Sequence, residues 1–218
     1  MSPTDHERPQ TVMGRVLLLL EPFREADSLT LTELAERTGF PRSSTHRMLL
    51  QLVEVGWIRR SGTSYHLGPK LTELGSLAQG HDRIHQAARA SMYQLHKSTR
   101  MAVHLAVLEG DDLLYLEKVG GRWASSALPT HVGQRRPAPE AVEGLALLAY
   151  RDGREPALEE LVFDGLGGEQ VHCLAVAFDA QNGEIAALSL TGPVGRTPEG
   201  AARALALAAE LVASALSA

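Results

Sequence analysis

Apolar residues in the first seventy positions recur at helical spacing in three short runs. Residues 14–24, which include the aliphatic run Val16 to Leu20, predict a helix whose last turn Pro22 should bend. A polar break follows at 25–28. Thr30 and Glu33 then stand at the Thr-x-x-Glu spacing of a capping box, predicting a helix over Leu31–Thr38. That helix should bury Leu31, Leu34 and Ala35, and Gly39 can take the left-handed turn that ends it. Past Pro41, residues 42–55 place Thr45, Met48, Leu49, Leu52 and Val53 on one stripe, with Ser43, Arg47, Gln51 and Glu54 opposite. Gly56 stops this helix. Residues 57–60 and 65–67, separated by Ser61-Gly62-Thr63-Ser64, then predict a β-hairpin. Two short helices joined by a tight turn and followed by a hairpin make a winged helix-turn-helix, whose second helix can enter a DNA major groove.

The remaining two thirds pattern differently. Pro69 opens a helix through Leu77, and Gly80 separates it from another over 82–97, which makes this stretch the natural hinge between head and body. Residues 101–108 alternate, with Met101, Val103, Leu105 and Val107 on one face, and turn at Gly110-Asp111 into 113–119. A polar loop over 120–139 precedes an apolar helix at 141–150. A short helical piece is expected at 156–162, then a Gly-rich stretch at 164–168. Residues 171–178 and 185–191 form a second hairpin around Asn182-Gly183. Thr197 and Pro198 should cap and start a last helix that buries Leu205, Ala208, Val212 and Leu216. Runs of strands flanked by helices predict an α+β body behind the winged head.

Charge sharpens this picture. The net charge is −5, yet residues 1–70 carry nine Lys/Arg against eight Asp/Glu, so the acidity resides in 71–218. Over 37–70, Arg37, Arg42, Arg47, Arg59, Arg60 and Lys70 face a single acid, Glu54. A basic patch on an otherwise acidic chain fits a nucleic-acid-binding head. Arg side chains suit guanine edges, and hydroxyls and helix N-termini suit phosphates. Ser43, Ser44 and Arg47 are therefore the candidates to read or position bases, with Arg42, Arg59 and Arg60 on phosphates. Thr30 and His46 complete the candidate DNA-contacting set.

No run is long enough to cross a bilayer, and residues 1–7 lack an apolar signal core, so a cytoplasmic protein is expected. The single cysteine, Cys173, precludes an internal disulfide. The sequence holds no glycine-rich phosphate loop, Gly-x-Ser-x-Gly elbow or Cys-x-x-Cys pair, so neither an enzyme nor a cofactor is expected. Of nine histidines only His81 and His85 have helical i, i+4 spacing, and no acidic third ligand follows, so no metal is expected. Cys173 and His172 are adjacent in a strand and should point to opposite faces, which argues against a nucleophilic pair.

Residues 31–50 (LTELAERTGFPRSSTHRMLL), Gly56-Trp57-Ile58 and the run YHLG at 65–68 closely resemble the IclR-type family of bacterial regulators. The resemblance continues through HLAVLEGDD at 104–112, YLEKV at 115–119, VGQRRP at 132–137, Cys173-Leu174-Ala175 and ALSLTGP at 187–193. It implies a head over 1–68, a linker helix over 69–80 and a GAF-like effector-binding or oligomerisation domain over 81–218. The last would be a curved antiparallel sheet flanked by helices. The resemblance also implies homodimers or dimers of dimers on palindromic double-stranded operators, acting as repressors or activators. The implied ligands are small organic acids or aromatic metabolites, held in part by Cys173, Ser189 and Thr191. Alternation independently puts Ser189 and Thr191 on one strand face with Ile185 and Ala187.

Two departures from the family pattern stand out. Val142 and Glu143 occupy positions where small residues are expected, and Leu145 replaces a lysine. The valine should narrow the effector cavity, and the carboxylate should repel an anionic ligand unless Arg135 or Arg136 offsets it. The connection from Tyr150 to Val171 is also short for the family, which puts one pocket wall in question. Three readings follow: an effector-controlled regulator, a DNA-binding protein whose body only oligomerises, and a small-molecule enzyme with an accessory head.

Overall fold

The computed structural model describes residues 9, 11–154, 158–165, 168 and 170–217. The chain divides into two compact units after Ala78. The first holds α1 (Val12–Leu20), β1 (Leu29–Thr30), α2 (Leu31–Thr38), α3 (Arg42–Glu54), β2 (Ile58–Ser61) and β3 (Ser64–Leu67). Helix α4 (Pro69–His81) carries the point of division.

In the first unit the capping box forms as the Thr30–Glu33 spacing requires. Thr30 Oγ1 accepts from the Glu33 amide at 3.3 Å, and the Glu33 carboxylate accepts from the Thr30 amide at 2.7 Å. Gly39 ends α2 at φ 68°, in the left-handed region that glycine adopts without a Cβ penalty. The buried stripe of α3 is Thr45, Met48, Leu49 and Leu52, which joins Leu19, Leu34, Phe40, Ile58 and Tyr65 in one core. Leu31 and Ala35, expected inside, are only half-buried.

The first predicted helix is shorter than its pattern. It stops at Leu20 and continues as a 3-10 turn over Glu21–Arg24, because Pro22 has no amide hydrogen to extend the α-helical ladder. The wing also has a third strand: β1 pairs with β3 through Leu29↔Tyr65 and Thr30↔Ser64, giving the order β1-β3-β2.

The second unit is built on one antiparallel six-stranded sheet. Its strands are β4 (Ala102–Glu109), β5 (Asp112–Val119), β6 (Arg135–Pro137), β7 (Glu159–Asp164), β8 (Gln170–Asp179) and β9 (Ile185–Pro193), in the order β6-β5-β4-β9-β8-β7. The helices are α5 (Arg83–Thr99), α6 (Arg122–Ala127), α7 (Val142–Arg151) and α8 (Ala201–Leu216). Together the two units make the α+β class that the pattern predicts.

One sheet face carries the large aliphatics Val103, Leu105, Val107, Leu174, Val176, Leu188 and Leu190 under α5 and α8. The opposite face carries Ala106, Ala175, Ala177 and Ala187, and these small side chains let α7 lie close. Both faces of the central strands are therefore buried, whereas the sequence reading covers one face of β4.

Four expectations are corrected. Of the piece expected to be helical at 156–162, residues 156 and 157 lie outside the described set, but residues 159–164 form edge strand β7 on β8. Gly80 does not interrupt α4, which runs on to His81; Asp82 then caps α5, so His81 and His85 sit on different helices. The expected loop over 120–139 contains α6, β6 and the start of a 3-10 turn at Ala138–Glu140. The last helix begins at Ala201 after Gly200, not at Pro198, because the Thr197 hydroxyl is occupied by His172 Nδ1 at 2.6 Å.

Candidate functional site

Two sites follow from this architecture, one in each unit. In the first, burial of one stripe of α3 turns the other face outward. Arg42, Ser43, Arg47, Leu50 and Gln51 are exposed, and Ser44 and His46 are half-buried. Thr45 lies inside, its hydroxyl donating to the Pro41 carbonyl at 3.2 Å. Arg42 is held toward the N-terminus of α2 by a 2.8 Å bond from its Nη1 to Thr32 Oγ1. Leu50, 48% exposed, is the single large aliphatic on the outward face of α3.

The other expected DNA-contacting residues are arranged less uniformly. The Thr30 hydroxyl donates to Glu33 Oε2 at 2.7 Å while accepting from its amide, so capping occupies it in both roles. Arg59 and Arg60 are successive residues of β2 and leave the wing on opposite faces. Arg60 shares the face of buried Ile58, its guanidinium stacks 5.7 Å from the Tyr65 ring, and Nε donates to the Gly62 carbonyl at 2.9 Å. Arg59 leaves from the other face. The sequence reading takes the pair as equivalent; the alternation that separates them was available in it.

In the second unit, a cavity of about 140 Å³ opens between the small-residue face of the sheet and the N-terminus of α7. Val142, Glu143, Cys173 and Thr191 line it. Ser189 reaches it through Glu143, donating from Oγ to Oε1 at 2.6 Å. Strand register explains the grouping. His104 is the cross-strand partner of Ser189, and Cys173 that of Thr191, so both pairs share the α7 face.

The sequence reading missed His104, Tyr115, Thr130, Leu161 and Phe163, all of which line the cavity. Leu161 pairs with Cys173 across β7 and β8, so the edge strand supplies the wall that the short connection put in question. A signal for His104 did exist: it alternates with Ala106 away from the aliphatic face. Arg136 lines the cavity, but Arg135 does not; it lies 3.5 Å from Glu109.

The electrostatics centre on Glu143, a buried carboxylate (4% exposed) that also accepts from the Tyr115 hydroxyl at 3.3 Å. Ser189 has one hydroxyl hydrogen and gives it to Glu143. The hydrogen between Ser189 Oγ and His104 Nδ1, 3.4 Å apart, must then come from Nδ1. In that tautomer His104 Nε2 accepts from Thr130 Oγ1 at 2.9 Å. Burial lowers the His104 pKa to about 4, against the opposing pull of Glu143, so the ring is neutral near pH 7. Burial, and then the Glu143 charge, push the Tyr115 phenol up. The same two causes raise the Cys173 thiol well above its ordinary range, and Sγ is paired with Thr191 Oγ1 at 3.1 Å.

The comparisons with known proteins agree with both halves. The family model for the IclR helix-turn-helix domain matches residues 13–62, and that for the C-terminal region of bacterial transcriptional regulator IclR matches 76–162. The chain is 35% identical over 135 residues to the HTH-type transcriptional regulator KipR of Bacillus subtilis, covering 62% of this chain and 54% of that one. It is 26% identical over 229 residues to the HTH-type transcriptional regulator KdgR of Escherichia coli, covering 88% and 87%. The chain spans about half the length of most of the curated relatives it matches. An IclR homolog of Microbacterium hydrocarbonoxydans, solved in complex with 4-hydroxybenzoate, superposes with a TM-score of 0.77 at 25% identity, covering 95% of this chain and 99% of that one. Matched in its head by the one family model and in its body by the other, the chain belongs to the IclR family of bacterial transcriptional regulators.

Proposed function

We propose that the protein is a sequence-specific DNA-binding regulator that acts as a homodimer or dimer of dimers and is controlled by a small-molecule effector. The observation that carries this reading is the outward face of α3, where Ser43, Arg47 and Gln51 stand exposed opposite a fully packed stripe. Such a helix presents hydroxyl, guanidinium and amide groups to base edges without loosening its own core. Residues 1–68 would hold the DNA, 69–80 link, and 81–218 sense or oligomerise.

Dimerisation is supported by apolar surface that the single chain leaves uncovered. Helix α4 buries no side chain and exposes Leu74 and Leu77, and α1 exposes Val12, Met13 and Leu17. Two heads held at fixed spacing would then select a palindromic site by half-site separation. Effector control is supported by the cavity and by the solved relative that holds 4-hydroxybenzoate. A ligand there would act through different affinities for the DNA-competent and DNA-incompetent states.

The direct test is a mobility-shift titration on DNA flanking the gene. Arg47→Ala is expected to cost about 1–3 kcal/mol and to relax specificity, whereas Arg59→Ala should lower the salt slope by about 1. Unchanged binding by the Arg47 variant would remove α3 from the role given to it. A second reading, in which the C-terminal unit only oligomerises, draws on the mutual satisfaction of Ser189 with Glu143 and Cys173 with Thr191. A thermal-shift screen across charged and neutral small molecules separates the two.

A further inference from the structure

The cavity's polar end is a carboxylate that forms no salt bridge with a Lys or Arg among the described residues. Ser189 and Tyr115 fill two of the roughly four acceptor sites that a carboxylate offers. Among the described residues no Lys or Arg comes within 4.0 Å of Glu143. The nearest basic nitrogen is His104 Nδ1 at 3.9 Å, on a ring that burial keeps neutral. The other two cations nearby keep their charge but are held to backbone carbonyls rather than to Glu143, and of the two only Arg136 lines the cavity. Lys118 Nζ donates to the carbonyls of Ala124, Leu128 and Thr130, at 3.2, 3.2 and 2.6 Å. Arg136 Nη2 donates to the Glu140 carbonyl at 3.0 Å.

A buried carboxylate held by two hydroxyls lacks the directly bonded cation that normally offsets the desolvation of such a group. The rest of the lining is mixed: Leu128, Val142, Leu161 and Phe163 give it an apolar side, while Thr130, Arg136 and the acid Glu140 stand at its polar side, so its carboxylates outnumber its one guanidinium. The volume of about 140 Å³ is close to that of cavities that accept one benzene-sized molecule. We propose that this cavity takes a small amine, its protonated nitrogen bound to Glu143 and its apolar body, about one ring in size, seated against Val142, Leu161 and Phe163. This inference rests on the effector reading given above and narrows it. It assigns a ligand of opposite charge at this end to the acid held by the Microbacterium relative. A ligand carboxylate placed here would meet Glu143 as a like charge in a site with little water to screen it.

The test is isothermal titration calorimetry on the full-length chain with matched probes: benzylamine, benzyl alcohol and benzoate, and the butyl series of the same three groups. In the wild-type chain the amine of a series is expected to bind at least about tenfold more tightly than the acid. E143Q should lose at least about tenfold for the amine and leave the alcohol unchanged, because the amide keeps the shape and removes the charge. An acid that binds the wild-type chain as tightly as its amine, or E143Q with undiminished amine affinity, overturns the proposal. The wild-type ranking decides the case even where E143Q does not fold. If no probe of any charge binds at millimolar concentration, the effector reading falls, and this one with it.

Discussion

Gly144 and Gly75 are both helical, and replacing each with alanine should change stability in opposite directions. By intrinsic propensity alone, alanine is favoured over glycine in a helix interior by up to about 1 kcal/mol. At Gly75, in α4, an added Cβ meets nothing within 4 Å, so Gly75→Ala is expected to stabilise by roughly that amount. At Gly144, in α7, the same atom would stand 1.9 Å from the Ala138 carbonyl oxygen and 2.6 Å from its carbon. Reaching even the 3.0 Å that real Cβ contacts respect requires a shift of about 1 Å.

Neither side gives way easily. The Ala138 amide donates to the Asp111 carbonyl at 3.0 Å, and the Ala138 carbonyl accepts from the Ala141 amide at 3.3 Å. Overpacking a fitted core typically costs about 1–3 kcal/mol, which exceeds the propensity gain. Gly144→Ala should therefore lose up to about 2 kcal/mol net, or up to a few degrees in Tm. Because α7 carries Val142 and Glu143, the variant should also weaken the effector binding proposed above. Urea and thermal unfolding of both variants by circular dichroism is the assay. A Gly144→Ala chain as stable as the wild type would show that α7 does not approach the 138–140 turn as closely as the argument requires.

Two further predictions concern the cavity. His104 titrates at about 4 when folded, below its ordinary 6.5, so between these values the unfolded chain binds more protons. Stability should be fully present above about pH 6.5 and decline by a few kcal/mol toward pH 4, a loss that His104→Gln should reduce; parallel pH profiles for the two chains would count against it. Burial, followed by the Glu143 charge, holds the Cys173 thiol high, so maleimide labelling of the native chain at pH 7.5 should be at least roughly tenfold slower than in urea. Equal rates would mean that the thiol is not enclosed.

Much of the first unit was legible because its signals are local. The capping box needs Thr30 and Glu33, three residues apart, and the α3 stripe needs one helix to be packed on one side. β1 was not legible, since a two-residue strand exists through its partners in β3. β7 misled for the same reason: its burial pattern is exposed almost throughout, so no period-2 alternation marks it, and only pairing with β8 makes it a strand. The wing arginines show a different lapse, because Arg59 and Arg60 were separable by alternation alone.

For the cavity, sequence could place Ser189 and Thr191 on one face and set Glu143 apart as a charge where small residues are expected. It could not bring Glu143 to Tyr115 and Ser189, 28 and 46 residues away, or deny it a cation. Caps, helical stripes and strand alternation depend on neighbours within a turn or two, and so the sequence by itself determined the winged head and the α+β class, while the family came from the resemblance of its motifs. Which side chains share the cavity, and which charges there stay unpaired, depends on long-range strand register and on how closely α7 approaches the sheet. Only the tertiary structure decided those, because they are properties of no single segment.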